Sequence, residues 1–227
     1  MPASMTHPPI TPRTFELLRG LARHNEREWF LAHKAEYEVE CRDAFAGVLE
    51  ACTEALAGTS LPLKGGKATM FRPYRDVRFS KDKRPYKTSV SGMLTPTGTK
   101  GEPSNMVYLH LEPMEDGSAG FIASGHYKMS PKQLAPVRQR MVEEPARWHA
   151  ALDALNARGL TLSMEDSLSS MPRGFSEHAD HELADYIKLK SLITQEPVSE
   201  ADWMDGTVVA RVVNMAEAVG SLLNFRV

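Results

Sequence analysis

Residues 106–128 read MVYLHLEPMEDGSAGFIASGHYK and contain the clearest hairpin signal in the chain. The runs MVYLHLEP and GFIASGHYK are short and rich in β-branched and aromatic residues, which is typical of strands. The turn EDGSAG separates them. Because a short turn cannot join parallel neighbours, the two predicted strands are expected to pair antiparallel.

Two further strands are predicted upstream of this hairpin. After the loop LPLKGGKAT, the pattern changes from helical to alternating, so MFRPYRDVRF at residues 70–79 is the predicted first strand. Pro73 cannot donate to a ladder, which favours an edge or a bulge there. After the turn SKDKRP, Tyr86–Thr95 is predicted to return as the second strand, followed by a glycine-rich loop through Asn105.

Helices are predicted on both sides of the strands. Apolar spacing indicates a short helix over Thr14–Arg23, and a longer one that starts at the capping pair Asn25 and Glu28 and stops near Gly58. The remaining predicted helices begin at Ser130 and after Pro145, and run across Asp180–Leu192 and Gly206–Leu223. This order predicts an α+β fold with a central, mainly antiparallel sheet of about four strands and the N-terminal and C-terminal helices packed on it. We expect one domain over residues 1–227, with residues 1–12 as a flexible tail.

Composition places the chain in the ordinary globular range, with 42% hydrophobic and 25% charged residues. A net charge of -2 argues against a protein that coats nucleic acid or an anionic membrane with its whole surface. The N-terminal residues MPASMTHPPITPRT lack the pattern of a secretory signal, and no run approaches the ~18 apolar residues of a membrane span. Cys41 and Cys52 lie about 16 Å apart along one predicted helix, so we expect reduced core residues and a cytoplasmic protein.

Positive charge is concentrated in residues 71–87, FRPYRDVRFSKDKRPYK, which we call the basic segment. It holds seven cationic side chains against two acids, a net charge of +5, while the rest of the chain sums to -7. The cations are Arg72, Arg75, Arg78, Lys81, Lys83, Arg84 and Lys87. Charge placed so locally predicts a binding site for an anion.

Side chains alternate between the two faces of a strand, so the arginines of the predicted strand are expected to have different roles. Arg72 and Arg78 are predicted to share one face, where they form either a clamp for a phosphate or carboxylate or a surface network with Asp76 and neighbouring acids. Arg75 falls on the apolar face, where an unpaired charge is costly, so an acid from a helix is its expected partner. Lysines in the turn either surround a ligand or form a solvated hairpin. The candidate ligand-binding residues are Arg72, Arg78, Lys81, Lys83, Tyr86, Lys87 and His126.

Other chemistries have weaker signals. The acid- and histidine-rich run EHADHE at residues 177–182 resembles an ordinary helix start more than a metal site, so no metal is predicted. Common phosphate-loop, dinucleotide, nucleophile-elbow and zincin motifs do not occur. Ser80 and Lys83 have the spacing of a Ser-x-x-Lys dyad, but Pro85 opposes the helix that such a dyad requires.

The basic segment resembles the signature of a bacterial and fungal family catalogued as a domain of unknown function, number 2461. Three more blocks resemble that family in the expected order: EWFLAHKAEYE, GHYKMSPKQLAPVRQRM and MPRGFSEHADHELADYIKLKSL. Ala123 and Ser124 depart from the more glycine-rich stretch expected there, which would narrow a ligand site. The resemblance implies no particular activity, substrate or cofactor.

Three functional hypotheses remain open from the sequence. The first is a protein that binds an anionic ligand through residues 71–88, such as a nucleotide, a nucleic acid or a phosphorylated small molecule. The second is an enzyme acting on a small phosphorylated or carboxylated substrate, which predicts a deep pocket containing an acid or a histidine with a shifted pKa. The third is a structural or interaction domain whose basic segment is paired internally.

Overall fold

A computed structural model describes residues 7–100 and 106–225 of the chain. Its sheet has four antiparallel strands in the order β1 (Val90–Leu94), β2 (Val107–Leu111), β3 (Ser118–His126) and β4 (Leu192–Ser199). The helices are α1 (Pro12–Arg23), α2 (Arg27–Tyr37), α3 (Ala44–Leu56), α4 (Pro131–Glu143), α5 (Pro145–Asn156), α6 (Ala184–Ile187), α7 (Glu200–Met204), α8 (Thr207–Ala218) and α9 (Gly220–Asn224). A π-helical turn, Glu38–Asp43, joins α2 to α3 without a break. The predicted α+β class with a mainly antiparallel sheet is confirmed.

The membership of the sheet differs from the prediction in two places. Residues 70–79 do not form a strand, because this segment folds back on itself through an isolated bridge between Tyr74 and Tyr86 instead of extending a ladder. The second predicted strand is correspondingly shorter and begins at Val90. The fourth strand is β4, within a region whose start was predicted to be helical. Pro197 is compatible with β4 because this strand lies at the edge of the sheet.

Two local predictions also need correction. Asn25 does not cap α2, whose preceding residue is Glu26, and instead its side chain binds Tyr86. The helix predicted over residues 180–192 is only the short α6. Ile10, within the predicted N-terminal tail, is buried. Residues 1–6 of that tail and residues 101–105 of the predicted glycine-rich loop lie outside the described residues.

One face of the sheet is packed against α3 and α8. Gly92 of β1 permits this contact, because a Cβ atom there would lie 2.7 Å from Leu49 Cδ1 and 3.2 Å from Phe45. Cys41 and Cys52 are free and buried on the helical side, as the sequence predicted. The helices therefore cover one sheet face, and the opposite face is available to form a site.

Candidate functional site

The sheet face opposite α3 and α8 is the floor of a cavity of about 660 Å³. Alternate residues of the four strands point to the same side, so each strand contributes side chains to the floor. These are Ser91, Met93, Tyr108, His110, Phe121, Ala123, Gly125, Ile193 and Gln195. The basic segment contributes Phe71 and Lys87 to the wall beside β1, and Ser163, Glu165 and Asp166 contribute to the wall beside β4. We call this space the sheet cavity.

Aromatic rings form much of the floor. The His110 ring stacks on Phe121 with ring centroids 4.9 Å apart, and the Tyr108 ring lies between Phe71 and Phe121 at centroid distances of 6.1 and 5.8 Å. Such a floor suits a flat, apolar ligand body.

A hydrogen-bonded chain of three side chains runs along β2. Tyr108, His110 and Glu112 are alternate residues, so the pleat of the strand places them on one face. The Tyr108 hydroxyl is 3.0 Å from His110 Nδ1, and His110 Nε2 is 2.8 Å from the Glu112 carboxylate. The polar groups on this strand are therefore linked in series, with the phenol facing the cavity and the carboxylate at the far end.

The pKa shifts of Glu112 and Tyr108, at the two ends of the chain, indicate where its protons lie. The hydrogen bond from His110 lowers the pKa of Glu112, whereas burial raises the pKa of the Tyr108 phenol. Glu112 is therefore a carboxylate at neutral pH and accepts the Nε2 proton of His110. In the neutral imidazole, Nδ1 is then an acceptor, so the Tyr108 hydroxyl donates to it.

Lys87 is the cation through which the basic segment reaches the sheet cavity. Its ammonium group is half-buried and lies 5.3 Å from the centroid of the Phe71 ring. Burial lowers the pKa of Lys87, and the nearby charges of Arg72 and Lys100 lower it further. In the part of the chain that the structure describes, neither Lys87 nor Arg72 forms an ion pair with a carboxylate. Lys87 therefore lines the cavity with the positive charges of Arg72 and Lys100 nearby.

The other arginines of the basic segment are neutralised inside it. Arg78 binds Asp76 at 2.7 Å, and Arg84 binds Asp82 at the same distance. Asp82 is also the partner of Arg75, which corrects the expectation of a helical acid. The shared face predicted for Arg72 and Arg78 does not exist, because residues 70–79 are not a strand. The ion pairs hold the pKa of Asp76 and Asp82 below the usual range.

The remaining candidates from the sequence are placed apart from the floor of the cavity. Tyr86 is buried and stacks on Phe30 at a centroid distance of 4.1 Å, which makes it an anchor of the basic segment. Lys83 donates to the carbonyl oxygen of Val77 at 2.9 Å, and Lys81 is exposed in the same loop. His126 is buried at the end of β3, and the alternation of that strand turns it away from the cavity-lining Gly125.

Residue-based prediction missed Tyr108, His110 and Glu112, although the signal was present. All three lie in MVYLHLEP, where each is separated from the next by one apolar residue. A strand of that pattern places its three polar groups on one face.

The wall beside β4 carries a balanced set of charges. Asp166 binds Lys190 at 2.6 Å and accepts a hydrogen bond from Ser191, which lowers the pKa of Asp166. Lys128 enters this wall with a φ of 47°, a conformation that side chains other than glycine rarely adopt. The Ser191 hydroxyl accepts the Lys128 backbone N–H at 2.9 Å and helps to hold that conformation.

A family model described as "Conserved hypothetical protein (DUF2461)" matches residues 13–225. The chain belongs to this family. The match confirms the resemblance seen in the four sequence blocks. It includes all four strands of the sheet and the whole basic segment. No curated protein and no solved structure matches the chain.

The described residues contain neither a metal-binding cluster nor a membrane-spanning helix. Within residues 7–100 and 106–225, no group of three or more histidine, cysteine, aspartate or glutamate side chains is arranged to hold a metal ion. Over the same described ranges, no helix has both the length and the apolar character needed to cross a membrane.

Proposed function

We propose that the protein binds a small organic anion in the sheet cavity. Its phosphate or carboxylate group contacts Lys87, with Arg72 and Lys100 beside it, and its flat body rests on the aromatic floor. The observation that carries this proposal is the half-buried Lys87 ammonium, which lines the cavity and forms no ion pair with a carboxylate among the described residues.

The Lys87 ammonium group is partly removed from water in the cavity wall. A cation loses hydration when it is buried, and neighbouring cations add repulsion. A bound phosphate or carboxylate reverses both effects, because it supplies opposite charge and charge-assisted hydrogen bonds. The free protein therefore carries an electrostatic penalty at Lys87 that an anion removes.

A concave cavity of about 660 Å³ favours a small anion over a nucleic acid. Ion pairs with Asp76 and Asp82 already occupy Arg75, Arg78 and Arg84, so few cations of the basic segment remain for a phosphate backbone. These ion pairs support the hypothesis of an internally paired basic segment, but only for the part that contains Arg75, Arg78 and Arg84. A nucleotide still fits the proposal, since its base offers a flat ring and its phosphate an anion.

A second candidate function is an enzyme that acts on such an anion. The Tyr108–His110–Glu112 chain favours it, because a phenol faces the cavity with a histidine and a carboxylate in series behind it.

Binding is tested by titration of the protein with AMP and, as the matched neutral compound, adenosine. Lys87→Met removes the charge and retains much of the side-chain volume. Lys81→Met, in the exposed loop, is the matched control. A charge-assisted hydrogen bond contributes about 1.5–3 kcal/mol, so we expect Lys87→Met to weaken AMP binding by about 10- to 100-fold and Lys81→Met to have no effect.

The same titration is repeated with 4-nitrophenyl phosphate and benzoate, so that the proposal does not depend on one ligand. It is refuted if none of these anions binds, or if the two lysine variants behave alike. Binding to single-stranded RNA or duplex DNA that weakens steeply with salt and depends on Lys81 would support the nucleic-acid hypothesis instead.

We also propose a cytoplasmic location, which the free and buried Cys41 and Cys52 favour. Cell fractionation tests it, and recovery outside the cytoplasmic fraction would overturn it.

A further inference from the structure

We propose that Tyr108 is a nucleophile for phosphoester substrates in the sheet cavity, with His110 as its base and Glu112 as the group that orients the base. The proposal rests on the proposed function, because the cations at Lys87 bring the phosphate of the substrate to the cavity. A nucleophile and a base within hydrogen-bond distance, with a third group fixing the base, is the arrangement that nucleophilic catalysis requires. The two contacts, 3.0 and 2.8 Å, meet that requirement.

The phosphate and the phenol converge on the same part of the cavity. The centroid of the Phe71 ring lies 5.3 Å from the Lys87 ammonium nitrogen and 6.1 Å from the centroid of the Tyr108 ring, and all three residues line the sheet cavity. An anion held by Lys87 therefore lies in the same cavity as the Tyr108 phenol, and both groups lie beside the Phe71 ring. This adjacency is why we assign a phosphoester, in which the anionic group is itself the electrophile.

The reaction steps balance without any further reactant except water. The Tyr108 Oη attacks phosphorus, the P–O bond to Tyr108 forms, and the bond to the leaving alcohol breaks. The phenol proton passes to His110 Nδ1 and from there to the leaving oxygen. Water then attacks the phosphorylated Tyr108, loses its proton to His110, and the phenol leaves and recovers that proton.

The surroundings of Tyr108 make a base necessary for attack. Burial raises the pKa of the phenol, and a hydrogen bond from Ser91 acts in the opposite direction. Without a base, a phenol that stays protonated is a weak nucleophile. His110 supplies the base, and the carboxylate of Glu112 stabilises the imidazolium that forms during the attack.

A purely structural interpretation makes a different prediction about reactivity. If the chain on β2 only satisfies polar groups, tyrosine reactivity should follow exposure. Tyr127 and Tyr74 are 51% and 45% exposed, whereas Tyr108 is partly buried in the cavity floor. An activated Tyr108 should react before both of them.

The nucleophile is tested with 4-(fluorosulfonyl)benzoate, an aromatic anion that modifies activated phenols by losing fluoride. We expect peptide mass spectrometry to find Tyr108 modified first. His110→Gln should slow that modification by at least about 100-fold, the usual contribution of a general base. Modification of Tyr127 or Tyr74 before Tyr108, or an unchanged rate in His110→Gln, overturns the proposal.

Glu112→Gln is the second variant, because it leaves the ring of His110 stacked on Phe121. We expect it to slow modification by at least about tenfold, since the base then loses its orienting carboxylate. Tyr74→Phe, at an exposed tyrosine outside the cavity lining, is the matched control and should leave the Tyr108 rate unchanged. Thermal unfolding of each variant establishes that the fold is retained, and a folded Glu112→Gln protein with the wild-type rate overturns the role of Glu112.

The pH profile separates assisted attack from direct attack. With a base that takes the phenol proton, the rate of modification should level off well below pH 10, where a free phenol ionises, instead of rising toward that pH. A rate that keeps rising to pH 10 contradicts the proposal. The other titratable or charged groups near the chain are Arg84, Lys87, Tyr127, Lys128, Glu165 and Asp166.

Two comparisons separate this proposal from the proposed anion binding. If anion binding fails and the nucleophile is real, neutral benzenesulfonyl fluoride modifies Tyr108 as fast as the anionic reagent, in the wild type and in Lys87→Met. If only the nucleophile fails, anions bind and Tyr108 stays unmodified.

The substrate class is tested with 4-nitrophenyl phosphate. We expect the protein to release 4-nitrophenolate from it, and we expect Tyr108→Phe to abolish that release. No release, or release that persists in that variant, overturns the phosphoester assignment.

Discussion

The basic segment should detach from the rest of the fold when Asn25 is replaced by alanine. The Asn25 side chain binds both backbone polar groups of Tyr86: Nδ2 donates to the carbonyl oxygen at 3.0 Å, and Oδ1 accepts from the N–H at 3.0 Å. Tyr86 is only 4% exposed, so water does not readily replace these two hydrogen bonds.

The expected magnitude follows from the two groups left without partners. A buried donor or acceptor that loses its hydrogen bond costs about 1–3 kcal/mol, and part of the loss is relieved when the segment shifts toward water. We therefore expect Asn25→Ala to lower the free energy of unfolding by about 2–4 kcal/mol. Because Lys87 directly follows Tyr86, affinity for AMP should fall in the same variant.

Urea unfolding measures the change in stability, and hydrogen exchange at the Tyr86 amide locates it. The matched control is Asn156→Ala, because Asn156 is exposed at the end of α5 and should change stability by less than about 0.5 kcal/mol. The reasoning is refuted if Asn25→Ala is no more destabilising than this control, or if the Tyr86 amide retains its protection.

Two further predictions concern the sheet. Gly92→Ala should destabilise the protein by about 1–3 kcal/mol, because the new Cβ would lie 2.7 Å from Leu49 Cδ1; thermal unfolding measures this, and Gly58→Ala, with open space around it, should not reproduce the loss. Glu112 has a lowered pKa in the folded state, so its contribution to stability is present above its unfolded pKa, about 4.3, and is lost as the pH falls through the folded value. Urea unfolding below pH 5 should therefore show a smaller acid-induced loss in Glu112→Gln than in the wild type, and equal losses would contradict the pairing with His110.

Local sequence patterns predicted the elements whose stabilising contacts are local. Ser130, where a helix was predicted to begin, caps α4 and exchanges hydrogen bonds with Gln133. The β2–β3 hairpin formed where two strand-like runs flank a short turn. In both cases the partner residues lie within a few positions or across one turn, so the pattern contains the relevant interaction.

Elements that depend on distant partners were predicted less well. Residues 70–79 have the alternation of a strand, but their arrangement is set by Asn25, far back in the chain, and by Asp82 within the loop. The strand β4 forms by pairing with the edge of β3, which lies about 70 residues earlier in the chain. The residues of β4 alone do not indicate that this edge is available. Tertiary contacts decided these segments over local preference.

The basic segment contributes Phe71 and Lys87 to the cavity wall, and its role in binding an anion stays a prediction. The sequence could not show which of its cations are paired with acids and which are not. Lys87 is partly buried and Arg78 is paired with Asp76, and both facts depend on the folded conformation of the loop. The Tyr108–His110–Glu112 chain is different, since its period-two spacing was visible in the sequence.

The π-helical turn between α2 and α3 affects how the chain tolerates changes in length. Tyr37, Cys41 and Phe45 are spaced by four residues and are all buried. In a regular α-helix these eight residues would turn about 80° beyond two full turns, whereas a wider turn keeps such side chains closer to alignment. Deleting one residue from Glu38–Asp43 would leave seven steps from Tyr37 to Phe45, which in a regular α-helix sum to about 700°, within about 20° of two full turns. The deletion would therefore restore a regular helix with α3 in nearly the same orientation, so this segment should accept a single-residue deletion better than the middle of α3 does.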